Sequence, residues 1–460
     1  MANTYLYRDA TGSTHVTKAT ISCWVKRANI GSEQHIWFSG NTSDYGQYSF
    51  RINFNADDTL RCMNDDEGTN FKYETNRKFR DTFGYYHICL TLDQTNGTAA
   101  DRAKLWINGV RETSFSTQTN MSGSRFLTGI NGYRQVIGRH EGGSDAYLDG
   151  VLSHYYYIDG TAYDADVFGE EDASTGEWKI KTSPSVTMGT NGFTVLKDGN
   201  TYTDQSSNSN DLTLGGGSVT KTEDCPSNIF CTWNFLTRDA TGSGDKFNLY
   251  YGNTEARSPS VGGSVMHPIV GNIGLTKGKW YWEALYVSGN SANHIQIGIT
   301  SKIRHTNAQY NQLGALPDDY SYHGNNGDIN NNNGGNNAGT SYGNTYAAGD
   351  YIGVFMDLDN NKIYFSKNGT VQNSGTGHSI TAAADTHDGC YYPAFSDYHY
   401  APTYICQANF GNGCFGNTQL TGTTYNGADG NGIFKYDPTN VTLDGVSKSF
   451  NAISTKGLNA

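Results

Sequence analysis

Between Tyr351 and Gly369 the run YIGVFMDLDNNKIYFSKNG leaves room for little but a β-hairpin. Ile352, Val354 and Met356 alternate with Gly353 and Phe355, Asp359, Asn360 and Asn361 break the run, and Ile363 and Phe365 restart it at period two. The second strand ends at Asn368-Gly369, a dipeptide that readily takes the positive φ angles of a tight turn, so another antiparallel strand is expected after it. The run AKLWINGV, residues 103–110, repeats the device and ends in Asn108-Gly109. Both halves of the chain are therefore expected to follow one plan.

With 460 residues the chain exceeds one ordinary core, and two all-β domains of about 200 residues each are expected. It holds 56 Gly against 8 Pro, and its aromatic share of 13% is led by 32 Tyr, which suits many short strands joined by Gly, Asn and Asp turns. The formal charge of −12 is spread without a basic block, so a phosphate-tracking nucleic-acid surface is not expected. No apolar run approaches the roughly 20 residues that span a bilayer, and MANTYLYRDATGS lacks a charged region followed by an apolar core. Neither membrane insertion nor a signal peptide is expected. The eight Cys form no C-x-x-C pair, and Cys23, Cys62 and Cys89 sit inside strand-like runs, which favours buried thiols and synthesis in a reducing cytoplasm.

Along the first half, alternation marks strands at 20–27 (TISCWVKR), 48–54 (YSFRINF), 60–63, 85–93 (YYHICLTLD), 103–110, 136–138 and 149–158 (DGVLSHYYYI). Strands at this spacing pack as two antiparallel sheets. ATISCWVKR, YYHICLTLD with LWINGV, and VIGRHEGGSDAYLDGVLSHYYYIDG together resemble a concanavalin A-like, laminin-G-type sandwich. TAYDADVFGEED, STGEWKIK and MGTNGFTVL further resemble a variant of it found in tailed-phage and other viral structural proteins. Farther on, KGKWYWE (277–283), HIQIGIT (294–300), the opening hairpin, YYPAFS (391–396) and ICQANFG (405–411) resemble a SPRY domain, in that family's order. GIFKYDPTNVTLDGVSKSFNAISTKGLNA is similar to the segment after SPRY modules in phage fibre-like proteins. The expected fold is all-β: two consecutive antiparallel, jelly-roll-like sandwiches. The expected divisions are a laminin-G-type domain at 1–205, a Gly-rich linker at 206–222, a SPRY domain at 223–420 and a C-terminal extension at 421–460.

Motifs for chemistry fail on context. Gly339-Thr340-Ser341-Tyr342-Gly343 satisfies G-x-S-x-G but lies in an Asn/Gly tract, without the strand before and helix after that expose a nucleophile. The glycines of GNGCFG, residues 411–416, precede no helix-forming run, so the segment is a turn. Asp357 to Asn361 begins like an EF-hand loop, yet Lys362 stands where Gly is required. Glycoside hydrolysis needs two carboxylates about 5 to 9 Å apart on one face. Asp65-Asp66-Glu67 and Glu170-Glu171-Asp172 are consecutive and read as turns, so no catalytic residue is assigned.

Binding remains. Aromatic faces cover the apolar side of a sugar while amides pair with its hydroxyls, and Tyr310, Tyr320, Tyr322, His323, Tyr342 and Tyr346 surround an Asn/Gly tract, with Tyr398 and Tyr400 in a second aromatic loop. These eight are the expected ligand-binding residues, and a flexible insert is the plain alternative. Relatives of the laminin-G type hold calcium in loops, and that resemblance offers Asp145, Asp149 and Asp159 for it, against ordinary turn-forming Asp. No other cofactor is expected. The resemblances imply a non-catalytic virion component, a tail fibre, appendage or capsid-surface protein of a bacteriophage. Its partners would be other virion proteins, host-surface polysaccharide and its own copies in a homo-oligomer. The alternatives are a purely architectural decoration or fibre protein, a glycoside hydrolase, and a cellular SPRY adaptor that binds a peptide.

Overall fold

In the computed structural model, residues 3–12, 17–44, 48–121, 126–142, 146–197, 201–239, 245–260, 268–303, 312–332, 339–397 and 403–459 are described. The chain divides into two compact units, Met1–Val219 and Thr220–Ala460. Both are all-β, as the alternating residues require.

The N-terminal unit pairs an eight-stranded antiparallel sheet with a six-stranded one. The first runs, edge to edge, Phe115–Thr119, Thr69–Lys78, Thr59–Asp66, Tyr48–Phe54, Gln34–Gly40, Arg134–Ile137, Tyr5–Asp9 and Thr213–Gly216. The second runs Phe193–Val195, Gly150–Asp159, Lys18–Arg27, Tyr86–Asp93, Ala103–Ile107 and Val110–Arg111. Every second residue points between them. Ile21 pairs with Leu90 and Leu90 with Leu105, and these meet Phe50, Ile52, Phe71 and Trp37 from the other sheet in one core. Trp37 is fully buried and stacks on Tyr157 at 5.1 Å.

The segment expected as a linker is partly structural: Thr213–Gly216 is an edge strand paired with Tyr5–Asp9. Its glycines serve close approach, since a Cβ at Gly215 would stand 2.1 Å from the Tyr5 ring. Leu212 enters the core beside them.

In the C-terminal unit the hairpin forms as its alternation demands, Tyr351–Asp357 against Lys362–Lys367, with Thr370–Val371 following. Asn368 and Gly369 take φ of 50° and 81°, and Asn108 and Gly109 take 48° and 77° in the matching turn of the N-terminal unit. This hairpin lies in a nine-stranded sheet with Lys279–Ser288 and Ile405–Asn409. Opposite is a six-stranded sheet of Ile269–Val270, Tyr392–Asp397, Ile295–Thr300, Asp319–His323, Asp328–Asn330 and Thr340–Ser341. The expected extension is part of the unit: Asn451–Ala452 pairs in parallel with Trp280 and Tyr281. All eight cysteines are free thiols, seven of them buried.

Candidate functional site

The residues expected to bind ligand through the SPRY loops are interior. Tyr320 and Tyr322 lie on Asp319–His323 opposite Ile299 and Ile297, pointing between the sheets. Tyr322 packs against Tyr346 at 5.0 Å and Phe365 at 5.3 Å, and Tyr342 packs edge-on to Phe365. Their polar ends are committed to the fold: Tyr322 donates to the Asn344 carbonyl, Tyr346 to the Tyr322 carbonyl at 2.8 Å, and the Tyr342 hydroxyl accepts from the Phe365 amide. His323 points to the other side of the sheet yet is also buried. These five present no ring face to solvent, because DYSYH is a core strand, with alternate tyrosines inward. Tyr310, Tyr398 and Tyr400 lie outside the described residues.

The position of a site follows from which sheet faces the chain covers itself. Each sandwich has two outward faces, and three of the four are occupied. In the N-terminal unit, Tyr163, Ala165, Phe168, Trp178 and Met188 pack over Cys89, Tyr156 and Ile158 of the six-stranded sheet. In the C-terminal unit, Phe434, Leu443, Phe450 and Ala452 close over Tyr281, Phe355 and Tyr364 of the nine-stranded sheet. Glu283 fastens this cover, its buried carboxylate accepting from the Lys435 and Tyr436 amides, Asn409 Nδ2 and the Tyr281 hydroxyl. Leu313 sits on Val270, Tyr392 and Ala394 of the remaining sheet, its amide donating to Ser396 Oγ and its carbonyl accepting from Ser321 Oγ.

The outward face of the eight-stranded sheet has no such apolar cover among the described residues, although Val136, Phe38 and His35 on it are themselves buried. On Tyr5–Asp9, Leu6 points into the core while Tyr5 and Tyr7 point out. The Arg134 guanidinium lies over Tyr7 at 4.5 Å, and Arg139 stands over Tyr5 at 4.7 Å and Tyr147 at 5.5 Å. Arg134 pairs with Asp9 at 3.0 Å and with Glu141 at 3.5 Å. Farther across, Arg51 pairs with Asp65, Arg61 with Glu33 at 3.1 Å, and Lys72 with Glu74 at 3.1 Å. His140 bridges the two halves, edge-on to Phe38 and 4.7 Å from His35. Burial holds both imidazoles below their ordinary pKa, His140 at about 4, so they are neutral near pH 7. The sequence signal for this face was Tyr5-x-Tyr7 at period two, which no motif search singles out.

Ser22 Oγ and His87 Nε2 are 2.9 Å apart, but the Trp178 indole N–H donates to His87 Nδ1 at 3.0 Å. An indole nitrogen only donates, so the imidazole proton sits on Nε2 and points at the serine, the reverse of what a general base needs. Asp65 and Glu74 share the open face, yet each is ion-paired to a cation. Both acidic runs read as turns are in fact partly strand, within Thr59–Asp66 and Gly169–Glu171. Ser341 lies on an exposed two-residue strand, and Asp357 is buried, bonded to Asn360 and Lys448. The calcium set does not assemble: Asp149 and Asp159 flank and end a ten-residue strand, some 30 Å apart at about 3.3 Å per residue. Asp159 Oδ2 instead accepts from the Asn191 amide and Nδ2, and Asp145 lies outside the described residues. No group of three metal-binding side chains occurs among the described residues.

Residues 2–168 match the Concanavalin A-like lectin/glucanases superfamily, and residues 279–413 match the SPRY domain. The chain carries a laminin-G-type concanavalin A-like domain followed by a SPRY domain. A curated relative, the Ran-binding proteins 9/10 homolog of Drosophila melanogaster, is 29% identical over 124 residues, 26% of this chain and 11% of that protein. The chain thus spans about a tenth of that relative's length. Similar solved structures include the SPRY domain of human HERC1, at 17% identity and a TM-score of 0.27 over 37% of this chain and 91% of that one. Another is a putative carbohydrate binding protein from Bacteroides ovatus, at 16% identity and a TM-score of 0.30 over 47% and 59%. These findings correct the expected virion role. The curated relative is an animal protein named for Ran binding, so neither tail fibre nor capsid-surface component is supported.

Proposed function

We propose that the chain is a non-catalytic binding protein whose N-terminal domain takes a protein or peptide partner on the outward face of its eight-stranded sheet. The observation that carries this reading is the face left without an apolar cover, where Arg134 lies over Tyr7 and Arg139 over Tyr5 and Tyr147. Both arginines already share the Glu141 carboxylate, which with the rings fixes their position, and Tyr and Arg dominate the energetics of protein interfaces. The same stacking argues for peptide over sugar at this spot, because the ring faces that would lie on a pyranose are already occupied. The paired charges across Arg51, Asp65, Arg61, Glu33, Lys72 and Glu74 would set register and partner choice.

Peptide-display selection on the full chain, with a glycan array in parallel, tests the proposal. Selected peptides should bind Arg139→Ala and Tyr5→Ala at least tenfold more weakly while both variants keep the melting temperature of the parent. Peptides that bind the variants unchanged, or selection of glycans alone, would remove this face from consideration.

A further inference from the structure

We infer that the SPRY unit contains a second and separate site, a receptor for a cationic group at Asp397, which would take an ammonium or guanidinium carried by a partner. Asp397 ends Tyr392–Asp397 and points to the same side as Phe395, toward the rim of the sandwich interior, with 1% of its surface exposed. Its Oδ2 accepts from Ser258 Oγ, which in turn accepts from the Tyr404 amide at 2.9 Å. Among the described residues Oδ1 has no hydrogen-bond partner and no ion pair includes this carboxylate.

Among the other buried acids, Asp319 also has one unpartnered oxygen, its Oδ1 accepting from Thr300 Oγ1, but no stacked tyrosine pair lies beside it among the described residues; three others are fully provided for. Asp357 meets Lys448 at 2.9 Å, Asp58 meets Arg27 and Arg80, and Glu283 receives four donors. A buried carboxylate served by one hydroxyl is costly to fold around, and an arriving cation would remove that cost. The Tyr286 and Tyr404 rings, stacked 6.1 Å apart at 17°, lie near the carboxylate, and the faces they do not turn to each other attract a cation. Their hydroxyls are tied outward, Tyr286 to the Asn290 carbonyl and Tyr404 to the His294 amide. Burial raises Asp397 to about 7, so the free carboxylate is increasingly charged above neutral pH.

Ligand-observed NMR titration of the full chain with N-acetyl-lysine methylamide, N-acetyl-arginine methylamide and the neutral norleucine analogue tests this. At pH 8 one or both cations should bind saturably and norleucine should not, and Asp397→Asn should weaken cation binding at least tenfold without lowering the melting temperature. A lysine-only or arginine-only response identifies the group as ammonium or guanidinium. Should Asp397→Asn not fold, the parent alone decides. Its affinity should rise at least tenfold from pH 5.5 to pH 8, with Tyr286 and Tyr404 unionised and His294 and His323 the only nearby imidazoles among the described residues. A flat pH profile, equal binding by norleucine, equal binding by the variant, or no cation binding would each overturn the site.

Discussion

Glu283→Gln tests how the C-terminal cover is fastened. Glu283 Oε1 accepts from the Tyr281 hydroxyl and the Tyr436 amide, and Oε2 from Asn409 Nδ2 and the Lys435 amide, at 2.8 to 3.1 Å. Burial outweighs these donors and raises the carboxyl from 4.5 to about 7. Because the folded-state value lies above the unfolded one, the folded protein holds the proton more tightly between those values. The stability that this proton contributes is complete below about pH 4.5 and is lost as pH rises through about 7. One pKa unit is about 1.4 kcal/mol, so the loss across the window is about 3 kcal/mol. Glutamine does not titrate. It does turn an N–H toward the Tyr436 amide even after the Tyr281 hydroxyl rotates to accept, leaving one buried donor unpaired at about 1 to 3 kcal/mol. Urea unfolding of both proteins from pH 4.5 to pH 8, followed through Trp233, Trp280 and Trp282, should therefore show a deficit in the variant that is largest at low pH and shrinks by about 3 kcal/mol toward pH 8. Asp319 and Asp397, also raised to about 7, titrate equally in both and cancel in the difference. A deficit that stays constant or grows with pH would mean that the four donors hold the carboxylate ionised, and the reasoning would fail.

Lys448→Met leaves the fully buried Asp357 without its cation and should lower the unfolding free energy of the C-terminal unit by about 3 to 5 kcal/mol in denaturant titration. Removal of residues 421–460 should yield insoluble or uncooperative material, because Tyr281, Phe355, Tyr364 and Glu283 would face water; a cooperative melt of the shortened chain would refute the cover. Gly109→Ala should cost the N-terminal unit about 2 kcal/mol or more by chemical denaturation, since φ is 77° and the added Cβ would meet the Trp178 ring at 2.4 Å.

Local chemistry was legible where it acts locally. The hairpin of Tyr351–Asp357 and Lys362–Lys367 needs only alternation and the Asp-Asn-Asn turn between, and the next strand only the Asn368-Gly369 turn, all within one consecutive run. The tyrosines of DYSYH were misjudged because serine and histidine on one side and a tract of Asn and Gly beyond it resemble a loop, while the partners that make Asp319–His323 a central strand lie at Ile295–Thr300. Thr213–Gly216 was hidden for the same reason: a Gly-rich tetrapeptide becomes a strand only because Tyr5 leaves room for nothing larger. Arg134, Arg139 and Tyr147 come together with Tyr5 and Tyr7 across more than 120 residues of sequence, beyond the reach of any spacing rule.

The matched residues and the folded units differ in extent, and the difference has a physical meaning. The superfamily match ends at residue 168 and the SPRY match spans 279–413, whereas the compact units run to Val219 and from Thr220 to Ala460. Much of what lies outside the matches is covering material: Trp178, Val186 and Met188 on one sandwich, Phe230, Phe434, Leu443 and Phe450 on the other. A face covered by the chain's own apolar side chains is closed to partners at a cost of several buried aromatic residues, each worth about 2 to 3 kcal/mol. The eight-stranded sheet lies largely inside the matched region, and on its outward face the aliphatic residues Val136 and Met63 stand among paired charges and rings rather than under an apolar cover. A surface that needs no partner to fold, yet displays preorganised arginines, is suited to a partner that comes and goes.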